Sequence, residues 1–340
     1  MLQVFRHDNS LKHFMGETHL EAPTRIKLIE DHLRNSKLDT KFIDAKTASK
    51  EDIVEIHSPD LYTAIEASSQ TPQTMFTMDT IANEFTYDAA LTAVGGAIQV
   101  ADHIKGRSSQ FGMLRPPGHH STFDTAMGFC FFNNIAITAN TLLKQNFRRI
   151  AIIDVDHHHG NGTQDLFYLE HNVLYTSMHA DPAVAFPGTG YSADIGHGDG
   201  IGKTVNIPLP IKTTDEDWLV GFDEVIAPIV EQYKPDAILV SLGLDALEDD
   251  PYGVLSMTPD GYFEIGKRIG ELGNKLCKKR VGVMLEGGYK YHELGIATEK
   301  FFSGLIDFKQ DSIIKPNLHY RFEQVLREVK GIQRNHWFDI

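Results

Sequence analysis

Four short, nearly continuous apolar runs between residues 149 and 285 limit the choice of fold more than any other feature. They span residues 149–155, 173–178, 236–242 and 280–285. Such runs are typical of strands buried on both faces of a parallel sheet, because no polar residues alternate with the apolar ones. Helical patterns lie between them at 215–233 and 258–276, the second with Thr258 as N-cap and Pro259 at the first helical position. This alternation predicts an α/β fold, with a central, mostly parallel sheet flanked by helices.

The composition is consistent with one globular domain. Of the 340 residues, 41% are hydrophobic and 23% are charged, which supplies enough apolar mass for a large core. No repeat or long linker divides the sequence, and residues 67–80 have the composition of a polar loop between helical stretches. We therefore predict a single domain over residues 1–340.

Charge and cysteine content bear on partners and location. The net charge of −14 disfavours direct binding to nucleic acid and favours cationic partners. Cys130 and Cys277 lie outside any CxxC pair, so both are predicted to be buried thiols in a reducing compartment. The first residues lack the apolar segment of a signal peptide, and no apolar run approaches the roughly 18 to 20 residues that span a bilayer. We expect a cytoplasmic protein without membrane contact. The sequence leaves open whether the chain forms a homo-oligomer.

Polar and ionisable residues collect where each apolar run ends. The sequences that follow the four runs are DVDHHHG, HAD, GLDALEDD and EGGY. In open α/β sheets, ligands bind outside the carboxyl ends of the strands. The sequence therefore predicts one site at this edge of the sheet.

The DVDHHHG motif has the residue types and spacing of a metal site. Side chains alternate along an extended chain, so Asp154, Asp156 and His158 are expected to point the same way. Asp156 and His158 can then share one metal ion, with Asp154 behind them. Catalytic zinc takes three protein ligands of this kind and keeps a position open for water. Asp245, at the end of another apolar strand, is the best candidate for the third ligand.

Two further motifs have the chemistry of acid–base catalysis. In RPPGHH (115–120), the prolines stiffen the approach to two adjacent histidines, of which one can act as general base and the other as electrostatic partner. These are His119 and His120. In EGGY (286–289), Tyr289 follows a buried strand, where its phenol can be aimed at a reacting carbonyl.

Seven motifs in register make the chain similar to the histone deacetylase family and to its bacterial relatives, the acetylpolyamine amidohydrolases. They are HLEAPTR (19–25), RPPGHH (115–120), GFCFFNN (128–134), DVDHHHGNGTQ (154–164), FPGTG (186–190), SLGLDALEDDP (241–251) and EGGY (286–289). The resemblance covers roughly residues 17 to 305 and implies the arginase/deacetylase fold. In the family, the residues that match Asp156, His158 and Asp245 bind Zn²⁺. The resemblance also implies K⁺ or another monovalent cation near the zinc.

The resemblance assigns roles to the remaining motif residues as well. Those matching Asp154, Asp156, His158 and Ser177 hold the monovalent cation. The residues matching His119 and His120 flank the catalytic water, and the one matching Tyr289 hydrogen-bonds the scissile carbonyl. An asparagine such as Asn161 is typical of class II and bacterial enzymes, and as a neutral partner it stabilises the His120 imidazolium less than a carboxylate would.

Four residues are expected at the substrate tunnel. Phe129 and Phe186 match the pair of aromatic residues that line it in relatives, and Asp79 matches the aspartate on its rim. Tyr252 is a departure, because relatives usually have Met, Leu or Glu at that position. A phenol there can narrow the entrance, hydrogen-bond a polar substrate or stack on a cationic amine.

The resemblance implies a zinc-dependent amidohydrolase that removes acetyl or other acyl groups from acetylated amines such as acetyl-lysine side chains. Hydrolysis of small acetylated polyamines is the alternative within the family. An arginase-type ureohydrolase with two metals is disfavoured, because Gly160 occupies the position of a further carboxylate ligand. An inactive reader of acetylated amines is a more remote alternative, since the acid–base and metal residues are all present.

Overall fold

Eight parallel strands form the central sheet of the computed structural model, which describes residues 1–106 and 108–340. The order across the sheet is β2-β1-β5-β10-β9-β6-β7-β8, and β3 pairs with β4 in a separate antiparallel hairpin. The strands are β1 Leu2–Arg6, β2 Thr40–Asp44, β3 Thr74–Met75, β4 Ile81–Ala82, β5 Ser109–Gly112, β6 Ile150–Asp154, β7 Val173–Ala180, β8 Thr204–Leu209, β9 Ala237–Leu242 and β10 Val281–Leu285.

Helices cover both faces of the sheet. They are α1 Pro23–Asn35, α2 Lys50–Val54, α3 Pro59–Ser68, α4 Thr86–His103, α5 Asn134–Lys144, α6 Asn161–Phe167, α7 Asp215–Gly221, α8 Ala227–Tyr233, α9 Pro259–Leu276, α10 Tyr291–Ile306 and α11 Tyr320–Gln333. Large clusters of buried apolar side chains lie on the two sides of the strands. The predicted α/β architecture with a parallel sheet is therefore confirmed. None of the described helices is long and apolar enough to cross a lipid bilayer.

The four strands predicted from apolar runs are confirmed as β6, β7, β9 and β10, and all of their residues are buried. They are neighbours in the middle and on one side of the sheet. Strands β1, β2, β5 and β8 were not predicted. Edge strand β2 has only exposed and half-buried residues, and β5 has only four residues, so neither forms a continuous apolar run.

The two predicted helices differ in regularity. Helix α9 begins at Pro259, and the Thr258 side chain accepts a hydrogen bond from Gly261 N at 3.2 Å, as the N-cap prediction requires. The segment 215–233 is interrupted by a π-helical turn at Phe222–Ile226 between α7 and α8. Pro228 explains the interruption, because it has no backbone N–H to donate within a regular helix.

The predicted polar loop 67–80 is more ordered than expected. Helix α3 ends at Ser68, and the β3–β4 hairpin then folds residues 74–82 back on themselves. Met78, at the turn of this hairpin, is 94% exposed. The hairpin matters for function because its turn reaches the cavity described below.

Candidate active site

The loops after β5, β6, β9 and β10 meet around one cavity of about 390 Å³. Because these strands are parallel and adjacent, their carboxyl ends supply residues far apart in sequence to the same place. The predicted site residues that line the cavity are Asp79, His119, His120, Phe129, Asp156, His158, Phe186, Asp245, Tyr252 and Tyr289. The other three, Asp154, Asn161 and Ser177, do not line it.

Asp156, His158 and Asp245 form a compact group that fits one metal ion. One ligand atom from each residue lies within 4.8 Å of the others. His158 Nδ1 is 3.0 Å from Asp245 Oδ2 and 3.3 Å from Asp156 Oδ1. Backbone N–H groups of His157 and Gly287 donate to the two carboxylates and fix their orientation. Two carboxylates and an imidazole in a buried pocket are a donor set suited to zinc.

Gly287 is required beside this group. A Cβ atom at this position would lie 2.2 Å from Asp245 Oδ2. No side chain fits at that distance, so the EGGY motif needs glycine to bring its backbone N–H close to the carboxylates.

His119 and His120 lie side by side with different partners. Their ring centroids are 4.0 Å apart. His119 Nδ1 is 3.1 Å from Asp154 Oδ2, whereas His120 Nδ1 donates to Asn161 Oδ1 at 2.8 Å. Because an amide oxygen can only accept, the proton of neutral His120 sits on Nδ1, and Nε2 keeps its lone pair.

The surroundings of the two histidines shift their pKa values in opposite directions. Burial disfavours the charged form of His119, but the carboxylates of Asp156 and Asp154 outweigh it and raise its pKa to about 10. Burial and the nearby His119 and His158 lower the pKa of His120 well below its usual value. The pKa shifts favour a charged His119 and a neutral His120, a combination that acid–base chemistry can use.

Asp154 and Ser177 are buried on the neighbouring strands β6 and β7. They are register partners in the β6–β7 pair. Asp154 accepts hydrogen bonds from Asp156 N and from the Tyr175 hydroxyl, and Ser177 Oγ is 2.8 Å from His179 Nδ1. Asp154 ends β6 and Ser177 lies in β7. The other two residues of the predicted monovalent-cation site, Asp156 and His158, belong to the metal group.

Tyr289 is buried against aromatic and cationic neighbours. Its ring meets Tyr252 edge to face with centroids 4.9 Å apart, and the Arg25 guanidinium carbon is 4.9 Å from its centroid. Burial raises the pKa of the phenol well above its usual value. The hydroxyl therefore stays protonated at neutral pH and is available as a hydrogen-bond donor.

The mouth of the cavity combines aromatic walls with one carboxylate. Phe186 is 40% exposed and meets the His120 ring edge to face, with centroids 5.0 Å apart. Phe129 and Tyr252 have centroids 5.9 Å apart. Asp79 Oδ1 accepts hydrogen bonds from the hydroxyls of Thr77 and Thr80, which orient this carboxylate within the β3–β4 hairpin. His19 and Met78, which the sequence did not single out, also line the cavity.

A fully buried charge cluster supports the site and was missed from the sequence. Glu21 forms ion pairs with Arg25 and Arg115. Arg25 also donates to the carbonyl oxygens of Glu286 and Gly288, each at 2.6 Å, so it holds the EGGY loop. The HLEAPTR and RPPGHH motifs contain these residues, but only the fold shows that they meet.

Replacement of Glu21 by glutamine is expected to destabilise the protein by about 3 to 5 kcal/mol, because it leaves two buried guanidinium groups without a charge partner. Burial raises the pKa of Glu21, but Arg115 and Arg25 outweigh it and lower the pKa to about 2. A lowered pKa stabilises the fold above the unfolded value of about 4.5 and less as pH falls toward 2.

Urea denaturation from pH 8 to pH 4 measures this effect. The difference in the free energy of unfolding between wild type and Glu21→Gln should be constant from pH 8 down to about pH 5 and should then shrink. Glu17→Gln, at an exposed position four residues earlier, is the matched control. A difference that grows on acidification would contradict the role assigned to Glu21.

Comparison with known proteins relates this geometry to one family. The sequence model described as "Histone deacetylase domain" matches residues 19–305. A probable deacetylase of Archaeoglobus fulgidus is 36% identical over 97% of this chain and 97% of its own length. An acetylpolyamine amidohydrolase of Mycoplana ramosa is 40% identical over 65% of this chain and 63% of its own length.

A solved structure gives the same result for the fold. The crystal structure of the HDA15 HD domain superposes with a TM-score of 0.91 and 31% sequence identity, covering 99% of this chain and 95% of that one. The fold implied by the motif resemblance is thereby confirmed. The match includes the sheet edge at which the candidate active site lies.

Proposed function

Because the chain belongs to the histone deacetylase family, we propose that it is a zinc-dependent hydrolase of acetylated amines, with acetyl-lysine side chains as the leading substrate class. The observation that supports this proposal most strongly is the composition of the cavity. The group formed by Asp156, His158 and Asp245 lies there beside the neutral His120 ring and the protonated Tyr289 phenol. We further propose that residues 1–340 act as one catalytic domain.

In the proposed mechanism, the metal group, His120 and His119 each have a separate role in the attack of water on the amide. When bound, zinc lowers the pKa of a water molecule and polarises the amide carbonyl. His120 accepts the proton of the attacking water at Nε2 and later donates it to the leaving amine. His119, charged and hydrogen-bonded to Asp154, stabilises the negative charge that develops on the substrate. The products are acetate and a free amine.

Tyr289 completes the arrangement from the EGGY loop. Its hydroxyl donates a hydrogen bond to the substrate carbonyl oxygen, and this bond strengthens as the oxygen becomes an oxyanion. The aromatic walls formed by Phe129 and Phe186 exclude water from the acyl-aminoalkyl chain. A dry site makes each of these electrostatic contacts stronger.

The residues at the cavity mouth are compatible with two substrate classes. A carboxylate at Asp79, a phenol at Tyr252 and a net charge of −14 all favour a substrate with cationic surroundings. Acetyl-lysine in a basic protein segment has that character, and so do acetylated polyamines. The 40% identity to an acetylpolyamine amidohydrolase is the specific observation that supports the second class.

Tyr289→Phe is expected to lower kcat by about 10²- to 10³-fold, since it removes one oxyanion donor and keeps the ring. The assay compares an acetyl-lysine peptide, N-acetylputrescine and N8-acetylspermidine with the zinc-loaded protein. Peptide turnover that the variant loses supports a lysine deacetylase. Turnover confined to the polyamines moves the assignment to polyamine hydrolysis, and absence of turnover with all three favours an inactive reader.

The resemblance also supports a structural cation. We propose that K⁺ or a similar monovalent ion is held near Asp154, Asp156, His158 and Ser177. Asp154 and Ser177 are cross-strand partners at the end of β6, and Asp154 accepts a hydrogen bond from the N–H of the metal-group residue Asp156. A cation there would offset part of the mutual repulsion between the buried carboxylates of Asp154 and Asp156.

A further inference from the structure

The Asp250 carboxylate joins two loops of the active site and has no role in the chemistry described so far. Its Oδ2 accepts hydrogen bonds from Tyr289 N at 2.6 Å and Lys290 N at 2.9 Å. Its Oδ1 accepts from Tyr252 N at 3.0 Å. The side chain is buried, with a residue exposure of 4%. One carboxylate therefore holds the backbone of both tyrosines that line the cavity.

The loop that carries Tyr289 needs an acceptor from outside its own backbone. Tyr289 and Lys290 directly precede α10, in which Lys290 is the N-cap residue, so their N–H groups lie outside the helical hydrogen-bond pattern and are bound by Asp250 instead. A negative charge at this end also interacts favourably with the helix dipole. The neighbouring Gly288 has a φ of +120°, and a Cβ there would lie 2.6 Å from Leu244 Cβ, so only glycine fits at this point of the loop.

Asp250 is itself fixed by its own loop. Its N–H donates to Leu247 O at 3.1 Å, and its carbonyl oxygen accepts from Gly253 N at 3.0 Å. The segment that starts at the metal-group residue Asp245 thus presents the carboxylate in a set position. Nothing in this arrangement requires Asp250 to touch a substrate.

We propose that Asp250 is a positioning residue that clamps the Tyr289 loop to the Tyr252 loop and thereby sets the place of the Tyr289 phenol. The inference rests on the proposed function, because it assigns a role to Tyr289 in hydrolysis. The two rings meet edge to face with centroids 4.9 Å apart, so a shift of either backbone disturbs both phenols. Asparagine cannot replace the carboxylate, because its NH₂ group would face one of the backbone N–H donors.

Asp249→Asn is a matched control for Asp250→Asn. Asp249 is the preceding residue, is exposed and has a φ of +61°, a conformation that asparagine tolerates well. Both substitutions replace a carboxyl group with an amide in the same loop. Only the second replaces one of the two oxygens that accept from the backbone N–H groups of Tyr252, Tyr289 and Lys290.

The first test is kinetic and uses the zinc-loaded full chain. Asp250→Asn is expected to lower kcat by about 10- to 100-fold through misplacement of the phenol, with KM changed by less than about threefold. Metal content should stay that of wild type, and Asp249→Asn should behave like wild type. In a Tyr289→Phe background, Asp250→Asn should lower kcat by less than about twofold, because the hydroxyl it positions is already gone. Equal losses in both backgrounds would overturn the proposal.

The second test does not need turnover, so it separates this inference from the proposed function. Amide hydrogen exchange is measured for the segments 286–293 and 250–254. Asp250→Asn should speed exchange in both segments at least tenfold relative to Asp249→Asn, since the acceptor of their N–H groups is weakened. Asp250→Glu, which keeps a carboxylate, serves where Asp250→Asn does not fold and should show a smaller increase. Unchanged protection in both loops would show that Asp250 does not hold them.

Discussion

Removal of bound metal by a chelator is expected to abolish amide hydrolysis, and one equivalent of Zn²⁺ per chain is expected to restore it. The reason is the size of the electrostatic contribution: a bound zinc ion brings the pKa of water from 15.7 to about 7, and no side chain of the cavity can do the same. The group formed by Asp156, His158 and Asp245 offers ligand atoms for a single ion. Turnover and metal content are measured together on the same samples.

Asp245→Asn tests the ligand assignment without reference to turnover. Burial and the Asp156 charge raise the pKa of Asp245, which shows that the two buried carboxylates repel each other when no metal is bound. A bound cation reduces this repulsion and so stabilises the folded protein. Zinc should therefore raise the unfolding temperature of wild type and of Asp249→Asn, but not of Asp245→Asn. Two equivalents of metal per chain would instead support an arginase-type site, and full activity in the presence of chelator would exclude the zinc mechanism.

The sequence predicted the middle of the sheet better than its edges. Strands β6, β9 and β10 are buried on both faces, so nearly all of their residues are apolar and the pattern is clear in the sequence. Edge strand β2 has solvent on one side and carries lysine and aspartate, so its sequence resembles a loop. The π-helical turn before α8 was likewise not predicted, although Pro228 was a visible signal for it.

The candidate site was predictable where its chemistry lies in contiguous motifs at strand ends. Asp156, His158 and Asp245 all follow buried strands, and the parallel sheet brings such ends together. The supporting contacts were not predictable in this way. Arg115 meets Glu21 across 94 positions, and Arg25 meets Gly288 across 263. No local pattern indicates such a pairing, because it depends on how the whole chain closes around the cavity.

Replacement of His120 by alanine is expected to lower kcat by about 10²- to 10⁴-fold, the usual contribution of a positioned general base. Its Nδ1 proton is committed to Asn161, and its pKa is lowered by burial and by the nearby His119 and His158. At neutral pH the ring is therefore uncharged, with Nε2 free to accept a proton. Steady-state hydrolysis of the preferred acetylated substrate measures the loss, and metal content should be unchanged.

His119→Ala is the matched comparison, because it removes the same ring from the adjacent position. His119 is already charged near neutral pH, since Asp156 and Asp154 raise its pKa to about 10 despite burial. A charged imidazole cannot accept a proton, so the loss of His119 should cost electrostatic stabilisation alone, about 10- to 100-fold in kcat. A larger loss in His119→Ala than in His120→Ala would reverse the assignment and make His119 the base. Both substitutions replace an imidazole ring with a methyl group, so the cavities that they create are alike. Comparison of the two losses in kcat therefore shows which histidine is the charged partner and which is the neutral base.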